Sequence, residues 1–126
     1  MQELHAVVEQ WAQKFNEGNA EAITRLYSRG STIWGTLAQR LITSDEEIKG
    51  YFAGAARAGL RVKLGEHVSS PISETFAIDT RHYEFSPTAH DEVSIFPARH
   101  TFLPVKQNSA WLIAHQHSSM LPNPAG

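Results

Sequence analysis

The amino-acid sequence predicts an α+β fold, with helices of the N-terminal half packed on one strongly curved, mainly antiparallel sheet, in the order α-α-β-β-α-β-β-β-β. Three observations lead there. Apolar residues recur at helical spacing before residue 59, the apolar period changes to two after Gly59, and short polar turns separate the segments. A length of 126 residues suits one domain, 1–126, whose last residues, 120–126, are expected to fray.

Over residues 3–17, Leu4, Val7, Val8, Trp11 and Phe15 form the apolar stripe of an amphipathic helix. Gly18 suits the left-handed turn after it, and Asn19 caps a short second helix over 20–27 that buries Ile23, Leu26 and part of Tyr27. Residues 28–31 read as a turn, and Thr32-Ile33-Trp34 as a strand paired through a hairpin loop with Arg40-Leu41-Ile42. Thr43 and Ser44 each precede a glutamate by three residues, Glu46 and Glu47, which predicts a capping box. The third helix runs to about residue 58 with Ile48, Tyr51, Phe52, Ala55 and Ala56 on its apolar face.

Beyond Gly59, Leu60, Val62 and Leu64 alternate with Arg61 and Lys63, Ser70-Pro71 punctuates, and 76–85 forms the next strand. Residues 86–92 make a polar loop. The stretch 93–106 is a long strand with Arg99, Thr101, Leu103 and Val105 on one face and His100 and Phe102 on the other. Because proline removes a ladder hydrogen bond, Pro97 is placed at a bulge and Pro104 near a strand end. Gln107-Asn108-Ser109 turns into the final strand.

That strand carries the main site candidates. With period two, Trp111, Ile113, His115 and His117 share one face, and Leu112, Ala114, Gln116 and Ser118 the other. One face therefore begins as core and ends in two imidazoles, which predicts a strand running from packed interior into a polar cavity.

Composition narrows the function. A net charge of −2 gives no electrostatic reason to expect nucleic acid or an anionic membrane as partner. With no cysteine, disulfides and thiolate zinc sites are excluded, and no apolar run approaches a membrane span. The expectation is a cytoplasmic protein without cofactor or metal. His115 and His117 lack an obvious third ligand, since His82 or Glu84 would need the right register.

The order of elements, with Phe15-Asn16-Glu17-Gly18-Asn19, Leu26-Tyr27, Trp34-Gly35-Thr36, Ala98-Arg99-His100-Thr101-Phe102 and residues 111–119, resembles the nuclear transport factor 2-like (SnoaL-like) superfamily. Within it the chain is similar to the association domain of calcium/calmodulin-dependent protein kinase II and its stand-alone bacterial relatives. The resemblance implies a cone-shaped domain whose sheet wraps a deep pocket, homo-oligomers formed through the outer sheet face, and Arg99 pointing into the pocket. Gly30-Ser31 and Arg81-His82-Tyr83 depart from the family pattern, and without a kinase domain the kinase-hub role does not transfer.

Arg99 beside apolar neighbours suggests a clamp for a carboxylate or phosphate, or an internal ion pair to Asp79 or Glu84. His115 and His117 are either hydrogen-bonded pocket wall or a general base. Trp34 and Tyr83, and with them Tyr51, are candidate aromatic walls, while Thr101, Ser118 and Ser119 are candidate polar contacts. His5, His67 and His90 are expected on the surface. Phe102, Leu112 and Ala114, opposite the pocket residues, predict a partner sheet and hence a homodimer. Three readings follow: a homo-oligomeric pocket protein binding a small organic anion; a SnoaL-like cyclase, isomerase or hydrolase acting on a hydrophobic ketone or polyketide with a histidine base; and a structural module with a vestigial pocket. The superfamily's isomerases and epoxide hydrolases use a pocket aspartate, and here only Asp79 and Glu84 lie in predicted strands.

Overall fold

The computed structural model describes residues 6–36, 38–87 and 96–122. The order is α1 (Ala6–Asn16), α2 (Ala20–Thr24), β1 (Tyr27–Trp34), α3 (Asp45–Arg57), β2 (Leu60–Pro71), β3 (Ala77–Pro87), β4 (Phe96–Gln107) and β5 (Ala110–Met120). The strands form one five-stranded sheet in the order β1-β5-β4-β3-β2, antiparallel throughout except that β1 runs parallel to β5.

Local signals set most boundaries. Gly18 sits at φ +70° and closes α1 with Asn19 N–H on the Lys14 carbonyl and Gly18 N–H on the Phe15 carbonyl, so the last turn's acceptors are used. Asn19 then caps α2, its side chain accepting from the Ala22 N–H at 3.0 Å, and Ser44 caps α3 by accepting from the Glu47 N–H at 3.2 Å. Asn16 ties helix to sheet: its amide donates to the Val62 carbonyl at 2.9 Å and accepts from the Val62 N–H at 2.7 Å, in the manner of a neighbouring strand.

Two expectations for the first strand are corrected. Residues 40–42 are not a strand but touch β1 through a single bridge, Ile33 to Ile42. β1 instead starts at Tyr27, absorbing the expected turn, because its partner is the C-terminal strand and not a local hairpin. Met120, placed by the sequence in a fraying tail, closes β5, and the Leu121 N–H reaches the Pro97 carbonyl at 3.1 Å. The expected positions of His5 and His90, and most of the loop at 86–92, fall outside the described residues.

The core packs around Trp11, whose indole meets Phe15, Phe52, Tyr83 and Phe102 at centroid distances of 5.3, 6.1, 5.9 and 5.4 Å. One helix residue thus joins α1, α3, β3 and β4. Curvature comes from register shifts. In β2, Gly65 and Glu66 stand against the single residue His82, and in β5 Ala114 is the extra residue, since Leu103 pairs with His115 but Pro104 with Ile113. The β4–β5 shift thus falls at Pro104, which lacks an N–H to contribute, and not at Pro97. The turn at Asn108 and Ser109 takes positive φ at both residues, 52° and 67°, as a tight two-residue hairpin requires.

Candidate functional site

Where the curved sheet, α1 and α3 fail to meet, they leave a cavity of ≈ 320 Å³. Trp11, Phe15, Tyr51, Phe52, Tyr83 and Phe85 form its walls, with Ala55 and Leu60 between them. Phe96 and Met120, 43% and 36% exposed, also line it and mark its opening. Gly35 explains how Tyr51 enters: a β-carbon there would lie 2.5 Å from the Tyr51 ring and hydroxyl. Among the described residues that line the cavity, none is charged.

One pole of the cavity is polar. Trp11 Nε1 donates to the Tyr27 hydroxyl at 3.0 Å, and Tyr27 in turn hydrogen-bonds Gln116 Oε1. The Tyr83 hydroxyl bonds Ser118 Oγ, which lies 2.5 Å from Thr36 Oγ1, and Thr36 and Gln116 also hydrogen-bond Tyr83. Burial pushes the Tyr27 phenol well above its ordinary range. It pushes Tyr83 up to about 12, against the pull of the Ser118, Thr36 and Gln116 hydrogen bonds. Both phenols are therefore neutral at physiological pH.

Below this pole lies a second buried cluster. Arg81 grips Asp79 in a fork, Nε to Oδ1 at 2.9 Å and Nη2 to Oδ2 at 3.1 Å, and Ser69 donates to Oδ2 at 2.6 Å. Burial raises the Asp79 carboxyl, but the hydrogen bonds from Arg81 and Ser69 and the Arg81 charge outweigh it and hold the group below its usual range. His100 sits opposite Arg81 with its ring 4.1 Å from that of Tyr83, and neither ring nitrogen has a hydrogen-bond partner. Burial, with the Arg81 charge, drives its pKa down to about 3, so the imidazole is neutral.

The sequence-derived site residues divide sharply. Tyr83 lines the cavity, and Tyr51 joins it. Arg99, Thr101, Ser119, His115, His117 and Trp34 lie together on the outer face of the sheet instead. Arg99 is exposed and donates from Nε to Ser119 Oγ at 3.1 Å; it pairs with neither Asp79 nor Glu84. His115 Nδ1 lies 2.8 Å from Thr32 Oγ1, His117 is exposed beside Thr101, and Trp34 is 40% exposed. The reason is Ala114. This extra residue reverses the alternation, so Ile113 faces the core while Gln116 and Ser118, not His115 and His117, continue that face. On β4 the pocket side is Ala98, His100, Phe102 and Pro104; Phe102 is fully buried and cannot contribute to an outer interface. Leu112 and Ala114 are half-buried, Leu112 opposite Val105.

Several site residues were not anticipated: Gln116, Thr36, Tyr27, Trp11, Phe96 and Met120. A signal existed for the buried cluster, since Asp79, Arg81 and Tyr83 alternate at period two and so share a face. Gln116 carried none, because its facing depends on the bulge.

Among the described residues no three histidine, aspartate or glutamate side chains are grouped to hold a metal ion, and no helix is long and apolar enough to cross a membrane. The family model of the SnoaL-like domain matches residues 4–123. A search of curated proteins returns no match. Among solved structures, a candidate calcium/calmodulin-dependent protein kinase II association domain from Xanthomonas campestris superposes with a TM-score of 0.86 at 25% identity, covering 94% of this chain and 85% of that one. An NTF2-like protein with a cystatin-like fold from Novosphingobium aromaticivorans gives 0.82 at 12% identity over 98% and 82% of the two chains. A ketosteroid isomerase-like protein from Erwinia carotovora atroseptica gives 0.77 at 14% identity over 95% of each.

Proposed function

The chain belongs to the SnoaL-like domain family, and from that premise we propose that it binds a compact, largely apolar small molecule carrying a neutral oxygen. The observation that carries this reading is the cavity itself: ≈ 320 Å³ of aromatic and aliphatic wall with uncharged hydrogen-bonding groups gathered at one pole. That volume lies at the lower end of small-molecule sites. A buried anion needs a paired cation, and none stands in the described lining. A carboxylate held by Arg99 would have to lie on the outer face, in water, where such a contact is weak.

The same geometry weighs against His115 or His117 as a general base, because neither is within the cavity lining. The neutral Tyr83 phenol and the Gln116 amide suit binding and polarising a carbonyl. They do not abstract a proton at neutral pH.

A second reading concerns self-association through the outer sheet face, to which Trp34, Val68 and Ile78 contribute exposures of 40%, 68% and 37%. A second copy related by a two-fold axis is the simplest closed occupant of such a face. Trp34→Glu should then raise the monomer fraction in light scattering; unchanged mass removes this face from consideration.

The function is tested by thermal shift with three probes of one skeleton: a naphthyl ketone, its hydrocarbon analogue and naphthoate. A ligand at 100 times its dissociation constant adds about 2.7 kcal/mol, readily seen as a higher midpoint. The ketone and hydrocarbon should stabilise wild type and Arg99→Ala equally. Stabilisation by naphthoate alone, lost in Arg99→Ala, would restore the anion reading.

A further inference from the structure

The hydrogen bonds at the polar pole have a direction, set by the one group in them with no choice. An indole nitrogen carries a proton and no available lone pair, so Trp11 Nε1, 3.0 Å from the Tyr27 oxygen, can only donate. The Tyr27 oxygen is thereby an acceptor, and its single proton goes to its other partner, Gln116. Gln116 must meet that proton with its carbonyl oxygen. The two ends of a glutamine amide are nearly alike in shape, and only the network can tell them apart. Here the indole decides, and the Gln116 NH2 is turned away from Tyr27, toward the Tyr83 hydroxyl and the cavity that Gln116 lines.

The hydroxyls beyond it leave that assignment intact. Ser118 touches both Tyr83 and Thr36 and has one proton to give. If that proton goes to Thr36, Tyr83 donates to Ser118 and Thr36 keeps its own; if it goes to Tyr83, Thr36 donates to Ser118 and Tyr83 keeps its own. The proton left over belongs to Thr36 or Tyr83, which also hydrogen-bond each other, so the three hydroxyls can close on themselves and the donor turned to the cavity is the Gln116 NH2.

We propose that Trp11 and Tyr27 are positioning residues that lock Gln116 with its NH2 toward the cavity, making the pole a hydrogen-bond donor site that selects ligands by a carbonyl-type acceptor oxygen. This rests on the reading of the cavity as a small-molecule site and narrows it from any neutral oxygen to an acceptor. Ketones, quinones and esters fit; ligands whose only polar group is a donor leave the Gln116 N–H unpaired, the costly case for a buried group.

The experiment compares 2-acetylnaphthalene with 2-isopropenylnaphthalene, in which the carbonyl oxygen is replaced by a methylene of similar shape. Dissociation constants are measured by calorimetry or fluorescence in wild type, Gln116→Glu and Tyr27→Phe. The alkene-to-ketone ratio cancels the difference in hydrophobic transfer. Gln116→Glu keeps the acceptor for Tyr27 but replaces the donor, and should lower that ratio about fivefold to tenfold, the value of one hydrogen bond. Tyr27→Phe releases the amide to turn over and should lower the ratio by about two- to threefold, which a loss of folding alone would not do. A ratio unchanged in both variants overturns the proposal. Should either variant fail to fold, wild type decides it by NMR: the Gln116 side-chain amide protons should give their stronger Overhauser contacts to the Tyr83 ring, and stronger contacts to the Tyr27 ring overturn the assignment. If neither probe binds wild type, the pocket reading fails by itself, while the NMR result still settles the amide.

Discussion

On the inner face of the sheet, polar side chains are few and mostly used: Asp79 is held by Arg81 and Ser69, Tyr27 by Trp11 and Gln116, Tyr83 by Ser118. On the outer face of the same strands stand an exposed arginine, two histidines, threonines, a serine and a half-exposed tryptophan, with contacts such as Arg99 to Ser119 made in water. Residue types alone make the outer face look more like an active site. Burial reverses that impression. A neutral amide and a phenol without water around them interact more strongly with a ligand than a guanidinium whose charge is screened. Chemical potency here depends on the side of the backbone a residue occupies, and only secondarily on which residue it is.

The largest expected effect tests the inner face. Asp79→Ala leaves the Arg81 guanidinium buried without its partner and should cost about 3–5 kcal/mol in chemical denaturation, while replacing both partners by apolar residues should recover much of it. A loss below 1 kcal/mol would mean that the pair is solvated and the contrast between the faces false.

The middle effect is a pH dependence. His100 is neutral in the folded chain down to about 3 but takes a proton near its ordinary value of 6.5 when unfolded. The unfolded state therefore binds protons first, and stability falls as pH drops from about 6.5 toward about 3. At pH 5 the loss relative to pH 8 should be about 2 kcal/mol from this group. Asp79, whose carboxyl is depressed in the fold, adds to the loss only below about pH 5, where its unfolded form begins to protonate. His100→Leu, which also removes two unpartnered ring nitrogens, should flatten the curve between pH 6.5 and 5 in urea titrations. An unaltered slope would assign the acid sensitivity elsewhere.

The smallest effect belongs outside. Arg99→Ala and His117→Ala should each change stability by no more than about 0.5 kcal/mol, as exposed substitutions do. A loss of several kcal/mol in either would put that residue in a buried contact and dissolve the comparison.

Much of the architecture was legible. The stripe of Val7, Val8, Trp11 and Phe15, the caps at Asn19 and Ser44, the glycines at 18 and 59 and the change of period after α3 are local signals, and local chemistry suffices to read them. Errors appeared where a distant partner decided. Tyr27 to Ser31 became strand because β5 lies beside them, and Arg40 to Ile42 lost strand pairing for the same reason. The site was less legible still. Period-two counting assigned faces correctly along β3, where Asp79, Arg81 and Tyr83 share the interior. It failed on β5 past Ala114, because a bulge leaves no mark in composition. On β4 the two face sets were grouped correctly, but the resemblance placed Arg99 on the wrong one.

The bulge at Ala114 also bears on how such a chain can diversify. Substitution changes one side chain at a time, whereas drawing Ala114 back into the regular ladder opposite Leu103 would slide His115 to Ser119 one position along β4 and exchange every one of them between interior and surface. Straightening the bulge would turn a cavity end built from glutamine and serine into one carrying two imidazoles, whereas deleting Ala114 would leave His115 opposite Leu103 and the cavity end as it is. In this sheet, whether one residue is bulged or paired is a variable of its own, and chains that match in sequence across it can differ in which chemistry they keep dry.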